Sequence, residues 1–372
     1  MQNLLGIINL KDTQNNFQGL TTHRPIASLA YGSRYRVIDF TLSAFIGNGI
    51  KTVGMFSQKP YRSLIEHIDN GRYWGLDRKI GGLNCFYQTD DEQGIIGSEI
   101  SNFYANLDYI TSTKTDDVLI TTGDLVWNPD FSAAYEKWQE SGADMLVMYK
   151  TMENNDANYS KGNIISIDAD QNVTSFGING GLQEEINYSL STFFMKKSLF
   201  EQLVREAVES TRCRTFQQML ELKLETLTVK AYEYTENVYQ IRTLEGYYKA
   251  NMALLEPTIW GDVFSANKTA ITTKSKDEVP TYYGKESVTD NVLVGTGSII
   301  EGTVKNSILS RRVIIEEGAV VENSIILKGC TIRKGVRLNN AIVDKNSDIG
   351  NEIQLHGSSN FPFVVPKRTI MR

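Results

Sequence analysis

Cysteine, histidine and proline are scarce in this chain of 372 residues, at three, three and seven. The cysteines, Cys85, Cys213 and Cys330, are odd in number and widely scattered. That excludes a disulfide framework or a Cys-based zinc site and fits reduced thiols, each read as a small buried hydrophobe. A surplus of positive charge is also missing: 38 Lys and Arg face 44 Asp and Glu, for a formal net charge of -6. Nucleic acid is therefore not an expected partner. No apolar run approaches the ~18 residues that a membrane helix needs, so no membrane association is expected. Met1–Leu10 carries neither a basic n-region nor a cleavage site, so secretion is not expected and the location is read as cytoplasmic. The length implies two or three domains, each able to bury a core.

What is present is a six-residue rhythm. Ile308, Ile314, Val320, Ile326, Ile332 and Leu338 recur at every sixth position, flanked after slips of one or two residues by Val294 and Ile300 before and Val343, Ile349 and Leu355 after. A helix repeats every 3.6 residues and a strand every 2, so neither alone gives six. A coil with three short flat faces per turn does, each face turning one aliphatic side chain into a stacked core. About four coils of a left-handed parallel β-helix are predicted, with Gly318, Gly329, Gly335 and Gly350 at corners. A Val/Ile-rich sandwich would instead alternate by two between turn signals.

The residues before the coil alternate strand-like and helical patterns, the signature of a doubly wound, mixed or parallel α/β sheet with helices on both faces. Strands are predicted at 4–8, 51–56, 117–121 and 144–150, helices at 63–70, 102–110 and 244–255, and an exposed loop at 153–161. The expected division is a doubly wound (Rossmann-like) domain over 1–255, a polar connector over 256–284 containing Pro257 and Pro280, and the β-helix over 285–372. The exposed pair Tyr282-Tyr283 and the apolar tail Phe361-Pro362-Phe363-Val364-Val365 are candidate contacts for a partner, and the tail could equally cap the last coil.

Leu20-Thr21 with Arg24, followed by Gly32-Ser33-Arg34-Tyr35-Arg36-Val37-Ile38-Asp39-Phe40-Thr41-Leu42-Ser43, resembles the N-terminal signature of glucose-1-phosphate adenylyltransferases (ADP-glucose pyrophosphorylases). Asn106-Leu107-Asp108, Gly123-Asp124 and the run from Thr243 to Leu254 match in order, and the coil is similar, so the likeness covers nearly the whole chain. The resemblance implies nucleotidyl transfer from ATP to glucose 1-phosphate, with Mg2+ as cofactor and a role in glycogen biosynthesis.

The residues that this chemistry needs are largely replaced. The family's triphosphate loop, G-G-x-G-x-R, aligns without a gap on Lys11-Asp12-Thr13-Gln14-Asn15-Asn16. No glycine remains to let backbone N–H groups approach phosphate, and Asn16 stands where an arginine would neutralise the leaving pyrophosphate. The family's phosphate-contacting lysine falls on Ile26, and its sugar-binding Glu-Lys pair on Ile178 and Asn179. Of two metal-binding aspartates, Asp124 is retained and the other is Gln240, which offers only a neutral carbonyl. Asp124 alone would hold Mg2+ weakly or leave it unused. The base-reading run aligns on Ser98-Glu99-Ile100-Ser101-Asn102 and matches poorly.

The pattern is most like a non-catalytic regulatory subunit of this family, of the D type, which assembles with a catalytic paralogue in a hetero-oligomer, expected to be a tetramer. His23, Arg24 and Arg36 align with basic positions that bind anionic effectors such as sugar phosphates, and Arg36 could alternatively pair with Asp39. A working adenylyltransferase relying on Asp124, and a stand-alone sensor of sugar nucleotides, are the two alternatives. An acyltransferase on the coil is disfavoured, because that chemistry needs a histidine between coils and Ser298–Asn351 contains none.

Overall fold

The computed structural model describes residues 3–10, 17–88, 98–210, 213–264 and 269–372. The loop positions Lys11, Asp12, Gln14 and Asn16 lie outside the described residues. The chain forms two compact units: Met1–Thr13 with Phe40–Val238, and Gln14–Asp39 with Tyr239–Arg372.

The first unit is built on nine strands: β1 (Leu4–Leu10), β2 (Thr52–Ser57), β3 (Gly82–Tyr87), β4 (Asp117–Thr122), β5 (Met145–Glu153), β6 (Asn163–Ile167), β7 (Val173–Ile178), β8 (Glu185–Lys196) and β9 (Val229–Glu233). The order β3-β2-β1-β4 is parallel throughout, and β8 runs antiparallel beside β4. Beyond it β8 pairs antiparallel with β5, which pairs parallel with β9, while β6 and β7 form an antiparallel hairpin attached to β8 at Tyr188 and Ile164. Strands β1 and β4 are buried along their whole length, as their predominantly apolar centres, Leu4–Ile8 and Val118–Ile120, fit for a sheet covered on both sides.

One face carries Leu5, Ile7, Val118, Ile120, Met145 and Val147, packed with Phe103, Leu107, Phe200 and Phe216. The alternate residues face the other way. There Trp138 lies 6.4 Å from Phe194, ring to ring, and a Cβ on Gly6 would come within 2.5 Å of the Phe45 ring, so a helix presses directly on the backbone of β1. The single helix predicted over 102–110 is two, α1 (Glu99–Ala105) and α2 (Leu107–Ser112), broken at Asn106. The predicted exposed loop at 153–161 begins as the last residue of β5 and includes the buried Asn158.

In the second unit the coil is present, and the stacking is more regular than the six-residue rhythm suggests. Three columns fill its interior: Ile300, Ile315, Ile332, Ile349 and Met371; Val304, Val321, Leu338 and Leu355; Val294, Leu309, Ile326, Val343 and Val365. Each central coil takes 17 residues, in faces of six, five and six, as Ile315, Val321, Ile326 and Ile332 mark out. Three expected core positions are thereby corrected: Ile308 stands one residue before the inward-pointing Leu309 and faces out of the coil. Ile314 and Val320 stand one residue before the inward-pointing Ile315 and Val321 and are only half-buried.

Corners are made by residues tolerant of left-handed backbone. Asn306, Asn323 and Asn340 have φ of 42°, 47° and 50°, at successive turns of one corner. Gly318, Gly329 and Gly335 also have positive φ, but Gly350 does not. It serves close approach, since a Cβ there would meet the Met371 carbonyl at 2.6 Å. The tail Phe363–Val365 pairs with Ala341–Val343 as the last rung of one column. Its Val364 and Val365 are buried, while Phe361 remains exposed.

The coil also shares its unit with helix α3 (Leu244–Ala253), which the sequence placed in the first domain. The buried Tyr247 gives its hydroxyl to the Ala30 carbonyl at 2.7 Å, and Tyr248 gives its own to Asn323 at 2.6 Å. These bonds fix both tyrosines as packing residues. Beneath them, the outward column Ile308, Ile325 and Ile342 is fully buried. The expected connector opens with a further helix, α4 (Pro257–Phe264). No helix among the described residues is long and apolar enough to cross a membrane.

Candidate functional site

In an open parallel sheet, ligands gather at the carboxyl ends of the strands. Here those ends are Asn9 on β1 and Thr121-Thr122 on β4, followed by Gly123-Asp124. Asn9, Thr121 and Thr122, with Glu99, Asn163, Ser191 and Gln217, line a cavity of about 20 Å3. That is space for one water molecule rather than a sugar.

Several polar groups around it and on the adjoining helix are engaged within the protein. Glu99 accepts the Phe216 backbone N–H at 3.0 Å, capping a neighbouring helix, and Ser98 caps its own helix by accepting from Ser101 N at 3.0 Å. The run aligned with base reading is therefore a helix start whose side chains serve as caps. Asn102 donates to the Ser57 carbonyl at 3.2 Å. Gln217 donates to Gly177 O and Glu221, and its own Oε1 is buried with no protein partner. A single water in this cavity could satisfy it.

Asn179, at the sugar-binding lysine position, is only 3% exposed. Its side chain exchanges hydrogen bonds with Asn154 at 2.6 and 3.1 Å, donates to Tyr159 O, and accepts from Gly181 N at 2.9 Å. Every donor and acceptor of that amide closes the loop between β5 and β6 onto the end of β7. Ile178, at the glutamate position, points outward at 60% exposure, and Ile26 is buried in a short 3-10 turn, where it packs instead of donating.

Asp124 is half-buried and accepts the Thr122 hydroxyl at 2.8 Å. Among the described residues no three His, Cys, Asp or Glu side chains gather as a metal site requires. Gln240, in the second unit, is buried. One carboxylate beside a hydroxyl does not furnish the oxygen set that Mg2+ demands, so the residues described here do not fit the family's metal.

The predicted effector residues divide. His23 is exposed. Arg24 is buried, its Nε donating to Leu20 O and its Nη2 paired with the buried Asp344 at 2.6 Å, so it is a structural ion-pair member. Asp39 accepts from the Arg36 backbone N–H at 2.9 Å.

A basic cluster missed in the sequence lies on one corner of the coil. Arg311, Lys328, Lys345 and Lys367 occupy equivalent positions on successive turns. Gly329 N bonds to Arg311 O, Asn346 N to Lys328 O and Arg368 N to Lys345 O, each at 3.0 Å. Successive rungs stand ~4.8 Å apart, so four basic residues are stacked along one edge. Local carboxylates are few. Glu278 serves Arg312 and, at 3.8 Å, Lys328. Asp344 gives one oxygen to Arg24 and the other to the Lys345 backbone N–H. Among the described residues Arg311, Lys345 and Lys367 form no ion pair. Burial, followed by repulsion from Arg36 and Arg24, pushes the Lys345 amine down to about 6. Burial likewise lowers Arg311, which Arg34 and Arg312 also repel. The signal that could have revealed this corner is a basic residue recurring every 17 positions at 311, 328 and 345.

Residues 16–263 match the family described as Nucleotidyl transferase, and residues 278–358 match the GlmU-like, C-terminal hexapeptide family. Two similar proteins are named Glycogen biosynthesis protein GlgD. The one from Geobacillus stearothermophilus is 32% identical over 99% of this chain and 97% of its own, and the one from Bacillus subtilis 30% identical over 85% and 81%. A glucose-1-phosphate adenylyltransferase from Lachnospira eligens is 26% identical over 80% of this chain and 70% of its own. A sheet with parallel β3-β2-β1-β4 order, a coil of stacked short faces and these matches lead to one assignment: the chain belongs to the nucleotidyl transferase family, in its branch with a C-terminal left-handed hexapeptide coil, alongside the GlgD proteins.

Proposed function

We propose that this chain is a regulatory subunit of a glucose-1-phosphate adenylyltransferase in glycogen biosynthesis, with little or no activity alone. It assembles in the cytoplasm with a catalytic paralogue, as a hetero-oligomer, and tunes that partner's output in response to an anionic sugar phosphate. The names of the relatives support the pathway. The observation that carries the regulatory reading is Asn179: the side chain at the sugar-binding lysine position is buried and wholly engaged in holding a loop. A group that must let go of the fold to meet a substrate cannot contribute much to transition-state binding.

Two surfaces support the remaining parts. The basic corner of the coil supplies charge for an anion, with Arg36 facing it and Arg24 engaging one oxygen of Asp344. On another side of the coil, Tyr282, Ile299 and Ile314 form a continuous outward column, with Tyr282 59% and Ile299 38% exposed. This apolar stripe is suited to the catalytic paralogue.

Mixing tests the reading. Sedimentation of the chain with its catalytic paralogue should reveal a hetero-oligomer, and the mixture should form ADP-glucose faster, or with an altered effector response, than the paralogue alone. An unchanged paralogue that sediments separately would refute it. Ile299→Asp should abolish the association while leaving the fold intact.

A further inference from the structure

The basic corner contains one group whose charge is not settled by its surroundings. Lys345 stands between Lys328 and Lys367 on the adjoining turns, with Arg36 and Arg24 from the segment 17–39 of the same unit repelling its amine. Among the described residues the carboxylate acting on it is Asp344, whose oxygens are both occupied, by Arg24 Nη2 at 2.6 Å and by the Lys345 backbone N–H at 2.7 Å. An ammonium here would be hemmed in by cations without an anion to answer it. A dianion arriving at the corner would supply that partner and reverse the balance.

We propose that binding of a phosphate-class oxyanion at this corner is coupled to uptake of one proton by Lys345. The amine is neutral while the site is empty, takes a proton from solvent as the anion binds, and releases it when the anion leaves. The inference rests on the anion-binding part of the proposed function and adds its regulation: affinity for the anion rises as pH falls, by up to about tenfold per pH unit for one linked proton. The low value given above for Lys345 supports the resting neutral state, and the arrangement of Asp344 between Arg24 and the backbone explains it.

Sulfate is the probe, because it does not titrate in this range. Titration calorimetry of the full chain at pH 7.5, in two buffers of different ionisation enthalpy at constant ionic strength, reads the protons exchanged. The expected result is close to one proton taken up per sulfate. In Lys345→Arg, whose charge is permanent, sulfate should still bind, with the uptake abolished and the pH dependence flattened. Binding without proton uptake in the wild-type chain, or equal uptake in Lys345→Arg, overturns the coupling and leaves the anion site standing. Absence of sulfate binding would overturn the anion site itself. Lys345 is then judged directly in the ligand-free chain, by NMR of 13C-methylated lysines with Lys345→Arg as the assignment control. Titration far below the ordinary lysine range supports the neutral resting amine, and titration near 10 refutes it.

Discussion

The mouth of the sheet and the corner of the coil are both rich in polar side chains, yet they differ in what those side chains hold. At the mouth, Glu99, Ser98, Asn102 and Asn179 are bonded to backbone or to neighbouring side chains, and a cavity at the strand ends is about 20 Å3. At the corner, Arg311, Lys345 and Lys367 have no ion-pair partner among the described residues. Polar groups that complete a fold are not available to a ligand, whereas stacked cations without counterions gain by acquiring one. The proposed function follows that uncommitted charge and places the anion on the coil rather than at the strand ends.

The largest expected effect comes from disturbing the boundary between held and unheld charge. Asp344→Ala leaves Arg24 buried without its partner and should cost about 3–5 kcal/mol in urea unfolding. It should also add a net positive charge to the corner and tighten sulfate binding in whatever folded fraction remains. Next is the interior of the coil. Ile315→Ala should cost about 2–5 kcal/mol as a core truncation, and the adjacent Ile314→Ala less than about 1 kcal/mol, since its side chain faces outward. Equal losses would mean that the 17-residue register is wrong.

At the mouth, Asn179→Ala should destabilise by about 1–3 kcal/mol through its lost hydrogen bonds, with no change in the partner's activation. The restored pair Ile178→Glu with Asn179→Lys should lower stability without creating turnover. A smaller effect distinguishes the corner by pH. The folded Lys345 amine lies near 6, against an ordinary value of 10.5, so between these values the unfolded chain binds more protons than the folded one. Stability should therefore rise with pH across that window, and Lys345→Met should reduce the slope. Arg311→Ala, at the surface, should weaken sulfate binding with a stability change within about 0.5 kcal/mol.

Much of the architecture was legible because it is periodic. Alternating strand and helix patterns revealed the doubly wound sheet, and the aliphatic recurrence revealed the coil. The recurrence nevertheless misplaced Ile308, Ile314 and Val320, because outward-facing residues of this coil are also aliphatic and a five-residue face shifts the phase once per turn. Helix α3 read as the end of the sheet domain because its bonding partners, Ala30 and Asn323, are remote in sequence. The losses at Ile26, Ile178 and Asn179 could be read by resemblance. What the replacements now do could not, since the bonds of Asn179 to Asn154, Tyr159 and Gly181 exist only once two loops have met. Arg24 was legible as a cation and not as a buried one, because Asp344 lies 320 residues further along the chain.

Turnover by the chain alone is the most direct test of the central claim. Purified protein at high concentration, with ATP, glucose 1-phosphate and Mg2+, should form ADP-glucose at a rate several orders of magnitude below the ~10 per second typical of enzymes. Turnover near that typical rate, abolished by Asp124→Asn, would contradict the claim that the mouth of the sheet no longer performs nucleotidyl transfer.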